Sequence, residues 1–182
     1  MNKKLKIVFG VFLALVAILI VGGAVISTMA NKPKENKAFT AVSSDGELAS
    51  MHESDIKTVK GKINVYIFWG KGCPHCAALG KYLANHTKDY EKIANIYSFE
   101  VWGDKKNQEF FKSFASFIGS EASGVPFIAF AKSEPIKGFG NDSHGEALVK
   151  AIKEAYDTSY GAAKPVTPYD PYLAYAAQKT AK

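Results

Sequence analysis

The chain has 182 residues, of which 47% are hydrophobic. Its formal net charge is +6, and every positively charged side chain in that count is a lysine. Half of that charge lies on three lysines ahead of the first apolar run and the rest is dispersed, so a nucleic-acid-binding surface is not indicated. With only two cysteines, the chain excludes a framework of several structural disulfides.

The first element predicted along the chain is a membrane-spanning helix. The run from Ile7 to Ala30 has no charge and would span about 36 Å as a helix, enough to cross the hydrocarbon core of a bilayer. This length favours an uncleaved anchor over a cleaved signal peptide, whose apolar region usually has only about 7–15 residues. Cleavage after Ala30 stays open as the alternative. Because Lys3, Lys4 and Lys6 favour a cytoplasmic N-terminus, we expect a single-pass protein of the cell membrane with its main domain outside the cytoplasm.

The rest of the chain divides by composition. Residues 31–37 are rich in lysine, asparagine and proline and are predicted to be a solvated linker. Residues 38–158 have enough aromatic and aliphatic side chains for one domain. Residues 159–182 contain alanine, proline, tyrosine and lysine in no period, which predicts a flexible, disordered tail.

The domain is predicted to open with an edge strand over 38–42 and a helix behind it. Ser44 and Glu47 have the spacing of a capping box, and apolar residues follow at helical spacing. Those residues are Leu48, Met51, Ile56 and Val59. The nearly continuous apolar run Ile63–Trp69 then predicts a central strand that is buried on both faces.

The remaining pattern predicts alternating helices and strands. In order, these are a helix from Pro74 to about Tyr90 with Cys76, Leu79 and Leu83 facing inward, a strand over 95–102, a helix over 105–118, a strand over 125–131, a returning strand over 136–139 and a helix opened by a capping box at Ser143 and Glu146. A strand–helix–strand start implies parallel pairing, and the late hairpin adds antiparallel strands. The predicted class is therefore α/β, with a mixed central sheet flanked by helices.

Both cysteines lie in Cys73-Pro74-His75-Cys76, directly behind the predicted central strand. Pro74 suits the first turn of a helix, where its missing N–H costs nothing. Two thiols on such a turn can close a disulfide and reopen it. The motif therefore indicates thiol–disulfide redox chemistry at the carboxyl end of a strand, where α/β sheets gather their functional groups.

The segment from Phe68 to Cys76 resembles the active-site segment of the thioredoxin-like superfamily, and Gly124-Val125-Pro126 resembles its cis-proline loop. The resemblance covers residues 38–158 and implies a thioredoxin fold and a thiol–disulfide oxidoreductase that needs no cofactor or metal. The Pro-His pair between the cysteines is similar to that of DsbA-like disulfide oxidases, which favours an oxidase over a reductase. The usual DsbA-like helical insertion is not evident, so short membrane-tethered relatives, including accessory proteins of bacteriocin export, stay open.

The resemblance also implies a role for each site residue. Cys73, at a helix N-terminus that favours the thiolate, would attack, and Cys76 would resolve the mixed disulfide. His75 would add positive charge or a hydrogen bond. The implied partners are thiols or disulfides of exported proteins and peptides, together with a membrane redox partner that recycles the dithiol.

The cis-proline and the residues around it carry the implied substrate contacts. A cis Pro126 would bring the Val125 backbone beside Cys73, where it could pair with a substrate strand, and Trp69 would border the site. Ile67 stands where the family often has a buried acid that assists proton transfer, which disfavours fast reductase activity.

Two other classes of function stay open. Cys73, His75 and Cys76 could hold a soft ion such as Cu(I), although a structural zinc site needs four ligands. Alternatively, the domain could be a scaffold whose tail, from Tyr160 to Tyr175, docks a partner.

Overall fold

The computed structural model describes residues 38–57, 59, 61–161 and 169–181, all in the unit that spans Lys37–Lys182. The predicted membrane anchor and linker lie outside the described residues and stay predictions. In the described part of the chain, no helix is long and apolar enough to cross a bilayer.

A four-stranded mixed sheet forms the centre of the domain, in the order β2-β1-β3-β4. The strands are β1 (Ile63–Trp69), β2 (Ala94–Glu100), β3 (Phe127–Phe130) and β4 (Ile136–Lys137). β1 pairs in parallel with β2, with Ile63 opposite Ala94, and antiparallel with β3, which pairs antiparallel with β4. The predicted class, α/β with a mixed sheet, is confirmed, because parallel and antiparallel pairs share one sheet.

Helices cover both faces of this sheet. They are α1 (Pro74–Asn85), α2 (Thr87–Tyr90), α3 (Lys105–Phe117), α4 (Asp142–Tyr156), which continues into a π-helical turn at Asp157–Gly161, and α5 (Pro171–Thr180); a short 3-10 turn forms at Glu53–Asp55. The helix predicted to reach Tyr90 is interrupted at His86, whose backbone leaves the helical region. α4 begins before the predicted cap at Ser143, because the side chain of Asn141 accepts the backbone N–H of His144.

Alternate side chains of β1 belong to two separate hydrophobic cores, one on each face of the sheet. Val65 and Ile67 belong to an aliphatic cluster with residues of α1 and α4, whereas Tyr66 and Phe68 belong to an aromatic cluster with residues of α3 and α5. All four side chains are fully buried, which explains why the strand is almost continuously apolar in sequence.

The prediction for residues 38–59 is wrong in its main feature, because the described residues between Ser44 and Val59 form no α-helix and only the 3-10 turn at Glu53–Asp55. The segment forms isolated bridges instead, Thr40 with Ile96 and Val42 with Leu48, rather than a complete edge strand. A turn joins them, with Gly46 at φ +83°, and it packs so closely on α1 that a Cβ at Gly80 would lie 2.0 Å from the Gly46 carbonyl oxygen. The bridges and this backbone contact stabilise the segment in an extended form. Contacts with distant residues cannot be inferred from the local spacing of side chains.

The predicted disordered tail is also corrected, because residues 171–180 form α5. Asp170 caps this helix by accepting the backbone N–H groups of Tyr172 and Leu173. The Asp170 carboxylate also accepts from Asn64 Nδ2 at 2.6 Å and from the Tyr66 hydroxyl at 2.9 Å. These contacts with β1, which lies more than a hundred residues earlier, explain why composition alone suggested disorder.

Candidate functional site

The turn between β1 and α1 places Cys73 at the helix N-terminus. Cys73 is the N-cap residue of α1, and Pro74 follows at the first helical position. The backbone N–H of Cys76 donates to Cys73 Sγ at 3.2 Å. A sulfur at this position faces the unpaired N–H groups and the positive end of the helix dipole, so negative charge on it is stabilised.

Cys76 lies one turn further along and is more enclosed. It is 2% exposed, against 5% for Cys73, and both cysteines carry free thiols. Burial, followed by its hydrogen bond with Cys73, raises the pKa of the Cys76 thiol to about 12. Cys76 therefore holds its proton at neutral pH, which gives the two thiols different chemistry.

The loop that carries Val125 and Pro126 lies against the dithiol. The Val125–Pro126 peptide bond is cis. The Cys73 thiol donates to the Val125 carbonyl oxygen at 3.8 Å, a long contact that places this backbone beside the outer sulfur. The structure thus brings Cys73, Val125 and Pro126 together from two separate loops.

His75 is exposed, but one of its ring nitrogens is engaged. His75 Nδ1 lies 2.7 Å from the carbonyl oxygen of Phe139, in the segment after β4. A carbonyl only accepts, so Nδ1 carries the proton and Nε2 is the nitrogen left to interact with other groups. The contact ties the first turn of α1 to the β3–β4 hairpin.

A cleft of 710 Å³ opens beside the two cysteines. Its lining includes Cys73, Cys76, Trp69 and the turn that carries Glu47. Trp69 is half-buried, and its enclosed indole N–H finds no acceptor among the described residues. Ile67 is fully buried, and its aliphatic side chain cannot exchange a proton.

Sequence reasoning missed Glu100, which closes β2 and also lines this cleft. Glu100 Oε1 accepts the backbone N–H groups of Lys71 at 3.0 Å and Trp102 at 2.9 Å, and Oε2 accepts those of Gly103 and Asp104. Burial raises the pKa of this carboxyl, but the four N–H groups outweigh burial and hold its pKa below the ordinary value. A carboxylate at the end of a fully buried strand was the available signal.

Sequence reasoning also missed Trp102 and Phe139, which no motif or spacing marks. Each comes from a loop that the fold brings to the carboxyl end of β1. In the described residues, no group of three or more histidine, cysteine, aspartate and glutamate side chains is placed to hold a metal ion.

Similarity to known proteins is found among solved structures and is distant. No protein-family model and no curated protein matches the chain. The solution structure of an uncharacterized thioredoxin-like protein from Clostridium perfringens is similar, with a TM-score of 0.41 and 17% identity over 68% of this chain and 89% of that one. The crystal structure of thioredoxin from Aeropyrum pernix gives a TM-score of 0.42 and 17% identity over 59% of this chain and 89% of that one. At these values, neither similarity transfers a substrate or a redox direction.

Proposed function

We propose that the chain is a thiol–disulfide oxidoreductase that acts on exported proteins through a reversible Cys73–Cys76 disulfide. The observation that carries the proposal is the Cys73 sulfur at the N-terminus of α1, where it accepts the Cys76 N–H at 3.2 Å. The Val125 carbonyl beside the same sulfur marks the side from which a substrate would approach.

The chemistry is a pair of exchanges. A substrate thiolate attacks Cys73 Sγ of the disulfide, a mixed disulfide forms, and Cys76 leaves with the electron pair of the broken bond. A second substrate thiolate then attacks the substrate sulfur of that mixed disulfide, which releases the oxidised substrate and Cys73 as a thiolate. Two electrons pass to the chain, and a partner protein that carries a disulfide accepts them when the dithiol is reoxidised.

The position of the Cys73 sulfur at the N-terminus of α1 favours oxidation of substrates over reduction. Stabilising the Cys73 thiolate stabilises the reduced state, which makes the disulfide the stronger oxidant. Cys76 is the leaving thiolate in the oxidising direction and the attacking thiolate in the reducing direction, so its raised pKa slows the exchange both ways without setting the direction. Ile67 supplies no base to assist the exchange.

The cellular setting is proposed from the sequence. The uncharged run from Ile7 to Ala30 would anchor the chain in the cell membrane, and the lysines ahead of it would leave the domain outside the cytoplasm. Thiols of exported proteins or peptides are then the substrates, and a membrane redox protein is the recycling partner. A more specific form of the proposal is that the chain uses the same chemistry to assist the export of a disulfide-containing peptide.

The deciding measurement is the reduction potential of the full-length chain in mild detergent, equilibrated against glutathione. We expect a value of about −120 mV, whereas a value of about −270 mV would reverse the proposed direction. A His75→Ala variant is expected to give a more negative potential, whereas the control His52→Ala, at another exposed histidine, is not. If the two thiols form no reversible couple, the redox function is wrong.

A further inference from the structure

Both tryptophans of the chain lie where the parallel strands β1 and β2 end, and the second is strongly exposed. Trp102 is 59% exposed, more than any other exposed large apolar side chain of the described residues. A single exposed apolar side chain is common on protein surfaces, so it is the position of this indole beside a reactive group that suggests contact with another molecule.

The indole of Trp102 has a defined position next to the dithiol turn. It lies directly over Gly70, because a Cβ built on that glycine would be 2.2 Å from Trp102 Cδ2 and 2.4 Å from Cε2. Gly70 is three residues ahead of Cys73 and also accepts the Cys73 N–H through its carbonyl oxygen at 3.0 Å. Any side chain at position 70 would displace the indole.

The Glu100 carboxylate fixes the backbone of both loops. One of its oxygens accepts the N–H of Lys71, in the turn that leads to Cys73, and the N–H of Trp102 itself. The loop that carries the indole and the loop that carries the reactive sulfur are therefore joined through one buried acceptor. An exposed aromatic ring held in this way offers apolar contact area at a low cost in conformational entropy.

We propose that Trp102 is a substrate-contacting residue that binds an apolar side chain next to the reacting cysteine of an extended peptide. This inference rests on the proposed function. The proposed occupant is a cysteine-containing peptide, because the indole lies against the turn that carries Cys73, the residue with which the peptide cysteine would react. A large apolar side chain on the peptide would cover the exposed ring, while a glycine would not.

The test compares Trp102→Ala with the wild type as full-length chains in mild detergent. The three substrates are two dithiol peptides, one with phenylalanine and one with glycine beside the reacting cysteine, and dithiothreitol as a small dithiol. Glutathione disulfide accepts the two electrons of each turnover and regenerates the Cys73–Cys76 disulfide. We expect Trp102→Ala to lower kcat/KM for the phenylalanine peptide by at least about 10-fold, mainly through KM. Exchange with the glycine peptide and dithiothreitol, and the reduction potential, should not change.

Two further variants separate binding from packing. Trp102→Phe should restore most of the lost kcat/KM, because an aromatic face is retained. Leu173→Ala is the matched control, since Leu173 is a large apolar side chain on α5 that is 50% exposed, and it should leave all three substrates unaffected.

Several results would overturn the inference. Equal slowing of all three substrates or a shifted potential in Trp102→Ala would assign the indole to support of the dithiol turn. Dimers of the wild type that dissociate in Trp102→Ala would assign it to an interface between copies. If the wild type exchanges with none of the dithiols, the proposed function itself has failed, and the inference fails with it.

Discussion

Cys73 and Cys76 are three residues apart, but the fold gives their sulfurs opposite surroundings. Cys73 Sγ accepts a backbone N–H at the start of α1, which stabilises negative charge there. Burial and the contact with Cys73 raise the pKa of the Cys76 thiol to about 12, which keeps it protonated. Attack at one sulfur and slow resolution by the other follow from this difference.

The first residue-scale prediction separates these roles. We expect a Cys76→Ser variant, mixed with a disulfide-bonded peptide, to accumulate a mixed disulfide through Cys73 at close to one equivalent, because the resolving thiol is missing. Cys73→Ser should accumulate little, since the remaining thiol is buried and protonated. Mass spectrometry under non-reducing conditions measures both, and equal trapping by the two variants would contradict the assignment.

At the scale of elements, α5 is the addition that local sequence did not announce. It lies against the aromatic face of the sheet, where Tyr175 is buried and its hydroxyl contacts Ser113 Oγ at 2.8 Å. Asp170 joins this helix to β1 by capping it and accepting from Asn64 and Tyr66. One carboxylate therefore stabilises both the helix terminus and a buried hydroxyl of the sheet.

A prediction at this scale follows from Asp170→Ala. Losing a helix cap and leaving the Tyr66 hydroxyl without its acceptor should lower the free energy of unfolding by roughly 2–4 kcal/mol. Urea denaturation measures the loss, and limited proteolysis should cut near α5 earlier than in the wild type.

The control for this experiment is Asp157→Ala, which removes an exposed acid at the end of α4. It should change stability by no more than about 0.5 kcal/mol. Equal stability of Asp170→Ala and the control would show that α5 does not depend on this contact.

At the scale of the whole molecule, buried tyrosines make the fold sensitive to alkali. Burial raises the pKa of Tyr97 to about 12, with the Asp170 charge adding to it. Burial, followed by Asp170, also raises the pKa of Tyr66, and burial raises that of Tyr90. The unfolded chain releases these protons near the ordinary value of 10.0, so raising the pH above it favours unfolding.

The resulting prediction is a loss of stability between about pH 10 and 12, with full stability from these groups retained below that window. Tyr97 alone should account for roughly 2 kcal/mol by pH 12. Urea denaturation at a series of pH values measures the slope. Tyr97→Phe should be less stable at neutral pH, because its hydrogen bond to the Lys57 carbonyl is lost, but should have a shallower slope. An unchanged slope would contradict the assignment.

The sequence by itself determined the elements whose side chains repeat with a clear period. The apolar run at residues 63–69 predicted a strand buried on both faces, and the phenylalanines of 105–118 had helical spacing. The dithiol was predictable for a different reason, because its residues lie within four consecutive positions. The cis-proline loop was found through resemblance, since Gly-Val-Pro by itself fits many turns.

Only the tertiary structure decided features that depend on contacts between distant residues. The spacing of Ser44 and Glu47 predicted a helix, but a turn packed against Gly80 forms there instead. Helix α5 is held in place by the hydrogen bond that Tyr66 donates to Asp170. Glu100 and Trp102 joined the site because parallel pairing brings the ends of β1 and β2 together. Local spacing encodes the preferences of a segment, whereas a buried carboxylate or a ring over a glycine is stabilised by partners that folding supplies.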